Sequence, residues 1–190
     1  MNAGAPLEVH LDALSDIDAG VLHQWRSDRA IRDGALSYPF PTSVEAEREW
    51  IRSFAPTGIP RDVCLAIRAA PGAPLLGYCQ LRGIDWFSRV AELGIVIGEP
   101  GVRGQGLGGR ALRSMLSFAT DDLALRRIWL RVVEFNKPAI RMYEQAGFVQ
   151  EGRLVRHVMR AGSMHDVLVY GWERENHQPP LQPAGAEQRA

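Results

Sequence analysis

The sequence has no run of 18 apolar residues, so no membrane-spanning helix is expected. It has only two cysteines, Cys64 and Cys79, each in an apolar, strand-like stretch. Two are too few for a secreted disulfide scaffold, and they point instead to buried free thiols in a reducing compartment. Net charge is absent as well: 22 basic and 22 acidic residues balance. A general nucleic-acid or anionic-membrane binder is therefore not expected. The segment Met1 to Pro6 has neither a basic nor an apolar signal region, so a cytoplasmic location is expected. No internal repeat is found. His157 and His165 flank the last turn, but no third ligand joins them in a recognisable spacing, so no metal site is expected.

What is present fits one globular domain. The chain has 190 residues and is 46% apolar, enough for a real core. The domain is expected over residues 1–173. From Arg174 onward Pro, Gln, Ala and Glu dominate, and residues 174–190 are expected to form a disordered tail. Charge is distributed unevenly. Residues 1–60 hold nine acids against five arginines, whereas residues 101–131 hold six arginines against two aspartates. A basic centre suits an anionic ligand and an acidic front a cationic one, although solvated helix faces would give the same pattern.

Strands and helices interleave. Leu7 to Leu11 alternates as a strand does. Ser15 and Asp16 are good caps for a helix to about Arg29, followed by a loop from Arg32 to Thr42. Thr42 or Ser43 caps a second helix. Asp62 to Ala70 and Leu75 to Ile84 form strands joined by Pro71-Gly72-Ala73-Pro74. Val90 to Gly98 is a buried strand. Leu112, Met115, Leu116, Ala119 and Leu123 recur at helical spacing. Arg127 to Phe135 is a strand, Asn136 and Pro138 open a short helix, and Gly147 ends it. Phe148 to Arg160 and Met164 to Trp172 form a hairpin around Ala161-Gly162-Ser163. Hairpins among parallel elements imply a mixed sheet.

The most informative stretch is Arg103-Gly104-Gln105-Gly106-Leu107-Gly108-Gly109, directly before the helix that carries Leu112. Glycines there let a ligand approach the backbone, and the helix start offers unpaired N–H groups, a fit for a diphosphate. A P-loop would need Lys where Leu107 stands. The G-x-G-x-x-G dinucleotide fingerprint matches Gly104 to Gly109, with Glu134 as the ribose-binding acid. However, six residues separate strand from first glycine, and no second half completes a doubly wound sheet.

A third pattern covers more of the chain. Arg103, Gly106 and Gly108 open the helix; after the next strand come Asn136, Ala139, Tyr143, Gly147 and Phe148. Over roughly residues 7 to 172 this resembles the GNAT superfamily of acetyl-CoA-dependent N-acetyltransferases. The branch of ribosomal-protein-alanine and spermidine acetyltransferases is the most similar. The resemblance implies an α/β (α+β) fold. Its central mixed, mostly antiparallel sheet of six to seven strands would splay between strands 4 and 5, with about four flanking helices. It implies acetyl-CoA as co-substrate, no metal, and sometimes a homodimer.

Residue roles follow from the same resemblance. Arg103 to Gly109 would bind the diphosphate, with Asn136 and Ala139 nearby. A backbone N–H near Val96, Ile97 or Gly98 would meet the thioester carbonyl. Glu92 would act as base through water, because an alkyl amine is mostly protonated at neutral pH. Tyr143 would protonate the leaving thiolate. The acceptor site is expected from the first two helices, their loop and the last hairpin, with Trp25, Asp33, Tyr38 and Phe40 as lining, and Arg26, Asp28, Arg32 and Trp50 beside them. The loop from Asp33 to Phe40 holds one acid, which disfavours a polyamine. A small-molecule amine is preferred over a protein N-terminus. A non-catalytic acyl-CoA-binding module is the alternative.

Overall fold

The computed structural model describes residues 8–36, 40–55 and 58–174. Seven strands form one sheet in the order β1-β2-β3-β4-β5-β7-β6. They are β1 (His10–Ala13), β2 (Val63–Arg68), β3 (Gly77–Asp85), β4 (Val90–Ile97), β5 (Arg127–Val133), β6 (Val149–Arg160) and β7 (Ser163–Glu173). Five helices flank it: α1 (Ala19–Ser27), α2 (Arg29–Gly34), α3 (Val44–Arg52), α4 (Leu107–Ser117) and α5 (Lys137–Gln145). All neighbouring strands are antiparallel except β4 and β5.

The helix count is one higher than the sequence reading gave. Asp28 breaks the first helix by taking an extended conformation (φ −72°, ψ 116°), and its Oδ1 accepts from Ala30 N at 2.8 Å. A new helix, α2, starts there and ends at Gly34, inside the segment read as loop. Tyr38 and residues 175–190 of the expected tail lie outside the described residues.

The sheet buries both faces. On one, Ala19, Leu22, Trp25 and Ile51 of α1 and α3 pack on Cys64, Ala66 and Tyr78. On the other, Leu107, Ala111, Leu112 and Met115 of α4, with Ile140 and Tyr143 of α5, pack on Cys79, Leu81, Leu93, Ile128 and Leu130. The first helical face is pinned by a buried ion pair. Asp18, 3% exposed, accepts from Arg68 at 2.7 Å and also from Ser15 N and Oγ. Such a pair holds geometry, because removing either partner strands a charge in the core.

Alternation along β2 and β3 puts Cys64 and Cys79 on opposite faces, and both are free. Burial pushes the Cys79 thiol up to about 12. Burial, and then the neighbouring Cys79, push Cys64 up as well. Free thiols in an unfolded chain ionise near about 8.5. Above that pH the unfolded state loses protons that the folded state keeps, so stability falls as pH rises. The urea midpoint is expected to be lower at pH 10 than at pH 7.5, and Cys79→Ala is expected to flatten that slope. Equal slopes in both proteins would refute this.

Gly98 follows β4 where the Trp25 ring presses on the backbone. A Cβ there would sit 2.0 Å from Trp25 Cδ2. Gly98→Ala is expected to cost about 1–3 kcal/mol in urea unfolding through overpacking, and a neutral result would show that the ring moves freely.

Candidate active site

β4 and β5 pair only at Val90–Arg127, Ala91–Ile128 and Glu92–Trp129. Beyond Glu92 the two strands separate. A cavity of about 1070 Å³ occupies the gap and extends to the starts of α4 and α5 and to α2. That is at the upper end of small-ligand sites, as suits a long ligand or two ligands together.

The separated part of β4 carries unpaired backbone groups. Gly98 N donates to Leu76 O at 3.0 Å, on the β3 side. Pairing of Tyr78 with Val96 continues the same register, and an antiparallel ladder alternates in direction, so Val96 N–H also turns toward β3. Ile95 and Ile97 therefore direct their N–H groups toward β5, into the gap. Of the three donors expected from sequence, only Ile97 keeps an open N–H, and Ile95 joins it.

The glycine loop is built largely from its own side chains. Gly104 and Gly106 both take φ +75°, a region that favours glycine, and Gly106 is the residue before α4. Arg103 donates to Ile97 O at 3.1 Å and Gly98 O at 2.8 Å, tying the loop to the end of β4. Gln105 Nε2 donates to Gly101 O at 2.7 Å. No side chain caps α4 among the described residues. The N–H groups of Leu107, Gly108 and Gly109 thus have no helical partner, and all three residues line the cavity. Gly108 also has a packing role: a Cβ there would lie 2.9 Å from Met142 Sδ of α5.

Asn136 joins two walls. Its Oδ1 accepts from Ala139 N at 3.3 Å and caps α5, while its Nδ2 donates to Gly34 O at 3.0 Å at the end of α2. Seven residues later, Tyr143 lies on the inner face of α5. Gly147, at φ +91°, ends the helix and lets Phe148 N donate back to Tyr143 O at 3.1 Å. The Tyr143 ring is 5% exposed and packs against Phe148 at 5.7 Å. It lines the cavity, and its hydroxyl has no hydrogen-bond partner among the described residues. Burial pushes the phenol well above its usual value, and nearby Arg82 opposes the shift.

Glu92 is differently placed. Its Oε1 accepts from Arg82 at 3.1 Å and from Arg131 Nε at 2.9 Å; its Oε2 accepts from Arg131 at 3.3 Å. Both arginines line the cavity, and the carboxylate does not. Glu92 therefore lies behind two guanidinium groups, bridging β3, β4 and β5 where the parallel pairing stops.

Most of the expected binding residues come together. Val96, Ile97, Arg103, Gly104, Gly106, Leu107, Gly108, Gly109, Asn136 and Ala139 line the cavity with Tyr143. Gln105 and Gly98 do not, because one braces the loop and the other carries Trp25. The acceptor side departs most from expectation. Trp25 is core, 7% exposed. Asp33 turns to Arg29 at 3.3 Å. Phe40 is 69% exposed away from the cavity, and Tyr38 lies outside the described residues. No residue of β6 or β7 contributes. Tyr78, Gln80 and Arg82 of β3 and Arg131 of β5 line the cavity, together with Arg26 and Trp50 of the expected set. The signal for the first three was their two-residue spacing on one strand, which puts all three on one face of the sheet.

Comparison with known proteins agrees with this geometry. Residues 8–149 match the family model described as an acetyltransferase (GNAT) domain. The spermidine N(1)-acetyltransferase of Vibrio cholerae is 34% identical over 160 residues, which are 84% of this chain and 90% of that protein. A putative ribosomal N-acetyltransferase of Bacillus subtilis is 28% identical over 106 residues, 53% of this chain and 57% of that protein. The crystal structure of the Vibrio cholerae spermidine enzyme in complex with CoA and spermine superposes with a TM-score of 0.80 at 26% identity. The superposition covers 88% of this chain and 96% of that one. With a family model across most of its length and a splayed parallel pair at its centre, the chain belongs to the GNAT acetyltransferase family.

Proposed function

We propose that this protein transfers an acetyl group from acetyl-CoA to the primary amine of a small molecule by direct attack. The observation that carries this reading is the unpaired stretch of β4, which shares one cavity with the open N-terminus of α4 and the Tyr143 phenol. The groups present fit CoA. Leu107, Gly108 and Gly109 offer N–H donors at the positive end of a helix, where a diphosphate is stabilised. Arg110, Arg113 and Arg141 line the same end and can add charge-assisted bonds. The edge of β4 offers an amide-rich arm the hydrogen bonds that β5 no longer makes. Acetyl-CoA supplies the activated acyl group.

The chain's own residues then have separate tasks. The Ile95 and Ile97 N–H groups are placed to stabilise oxyanion charge, an effect typically worth about 3 kcal/mol for one donor. Tyr143 holds a proton at its hydroxyl, unshared with any described residue, and can deliver it to the departing sulfur. Glu92 holds Arg82 and Arg131 in place and, with both oxygens engaged, is a positioning residue in this reading. The general base expected of it passes to water or to the amine's own equilibrium.

Tyr143→Phe is expected to lower kcat by roughly 10²- to 10⁴-fold while leaving CoA affinity intact, as measured by thiol release and by thermal shift with CoA. An unchanged kcat would remove the phenol from the chemistry. CoA binding with no thiol release from any amine would favour an acyl-CoA-binding module. Stabilisation by NAD alone would overturn the cofactor assignment. The pH profile follows from the raised phenol. Protonated Tyr143 is the active form, so wild-type kcat is expected to show no loss between pH 7 and about 10, the ordinary tyrosine range. A fall centred near pH 8 would contradict that role.

A further inference from the structure

We infer that the acceptor is an amine carrying an anionic group, a carboxylate or a phosphate, rather than a polycation. The inference rests on the acetyltransferase reading above and names the substrate class of that site. It starts from what the cavity wall lacks. Among the described residues, the lining contains no aspartate, glutamate or histidine. It contains seven arginines, of which Arg103, Arg110, Arg113 and Arg141 stand toward α4 and α5. The other three, Arg26, Arg82 and Arg131, stand on the opposite side, around Tyr78 and Gln80.

The three acceptor-side arginines are fixed from behind. Arg82 and Arg131 share Glu92, whose side chain is 12% exposed. Arg26 meets Glu47 at 2.9 Å and lies over the Trp50 ring at 4.5 Å. Glu47 is 1% exposed and is held in turn by Thr42 Oγ1 at 2.6 Å. Each carboxylate thus lies outside the lining while the guanidinium groups face in. Three positive groups stand against two negative ones, and the positive ones are nearer the ligand. Four acids of the N-terminal third, whose abundance would suit a cation, are used in pairs elsewhere: Asp16 with Arg52, Asp18 with Arg68, Asp33 with Arg29, Glu45 with Arg48.

A guanidinium has five N–H donors in a planar fork that matches a carboxylate or phosphate. Arg131 uses two nitrogens on Glu92, and the bridge leaves other donors at the cavity wall. A bound anion would complete them. A polyamine would instead bring two or more ammonium groups against fixed like charges, with no carboxylate on the wall to neutralise them. The same field favours the neutral form of the one amine that must attack, because nearby positive charge disfavours an ammonium ion. The reaction then balances simply: the amine nitrogen bonds the acyl carbon, the carbon–sulfur bond breaks, Tyr143 protonates sulfur, and the amine's surplus proton returns through water to the Tyr143 oxygen.

The test pairs amines that differ only in charge. Thiol release from acetyl-CoA is measured with 4-aminobutyrate against 1-aminobutane, O-phosphoethanolamine against ethanolamine, and spermidine. Binding of each to the CoA-loaded protein is measured in parallel by calorimetry. At least one anionic member is expected to exceed its uncharged partner and spermidine by tenfold or more in kcat/KM, and the pair that responds tells carboxylate from phosphate. Arg131→Gln is expected to raise KM for the anionic amine by roughly 10- to 100-fold and to erase most of its advantage over the uncharged partner. Arg131→Lys should recover part of the loss, and a CoA thermal shift should confirm that both variants fold. Spermidine as the best substrate, or equal turnover within each pair, would overturn the inference while leaving the acetyltransferase reading intact. Selective binding of the anionic amines without thiol release would uphold the inference and overturn the acetyltransferase reading. Binding of no anionic amine would overturn the inference.

Discussion

The parting of β4 from β5 after Glu92 is the constraint on which the rest of this structure depends. Parallel strands can remain paired along their length only while their backbones run within hydrogen-bond reach. Here the reach ends after three residue pairs. Every backbone group beyond that point needs a partner from another source, since an unmet buried N–H or carbonyl carries a cost of its own. Part of the need is met internally: Arg103 donates to Ile97 O and Gly98 O at the far end of the strand. The Ile95 and Ile97 N–H groups are left facing the gap. A strand that lacks a neighbour is a template for an extended, amide-bearing ligand, by the same logic that lets an edge strand accept a peptide. The binding site is thus less a hollow carved into the domain than a missing strand.

Side chains frame the gap at both ends. At the pairing end, Arg82, Glu92 and Arg131 span three strands. At the other end, Arg103 ties the glycine loop to β4, and Gly108 allows α5 to lie close enough to α4 that Met142 nearly touches the helix backbone. Asn136 then ties α5 to the end of α2. The wedge between the strands is therefore framed by covalently distant segments, 102 residues apart in the case of Asn136 and Gly34. This framing also explains why the phenol of Tyr143 is so well placed. It hangs from a helix whose start is fixed by Asn136 and whose end is fixed by the left-handed turn at Gly147.

The sequence made the glycine-loop half of the cavity legible and left the strand-lined half obscure, for a physical reason. Residues that shape this half are recognisable because backbone geometry requires particular types: Gly104 and Gly106 for positive φ, Asn136 for a cap, Gly147 for a helix end. Those needs are local and leave a local trace. The acceptor side is set by which face of a strand looks inward and by who pairs with whom across the chain. Trp25 and Asp33 look like ligand contacts in the sequence, yet Trp25 fills the core over Gly98 and Asp33 closes an ion pair with Arg29. Tyr78, Gln80 and Arg82 look like any strand until the register with β4 places them beside the gap. The extra helix α2 was likewise hidden by one residue, Asp28, which ends one helix and caps the next.

Glu92 shows how the same residue can suggest one task in the sequence and another in the fold. A carboxylate in the strand before a glycine loop suggests a base, because an ammonium ion must lose a proton before it attacks. In the fold, that carboxylate orders two arginines and does not face the ligand. In the reading proposed above, the site handles the amine through its field rather than through a proton acceptor. Guanidinium groups on the wall, with their counter-charges set behind them, disfavour a second cation but not a neutral amine. The same arrangement that would repel a polyamine prepares a monoamine for attack, provided that another part of that molecule carries the negative charge the wall calls for. Selection of the substrate and activation of the nucleophile would then be two consequences of one charge distribution, organised by Glu92 and Glu47 from outside the cavity.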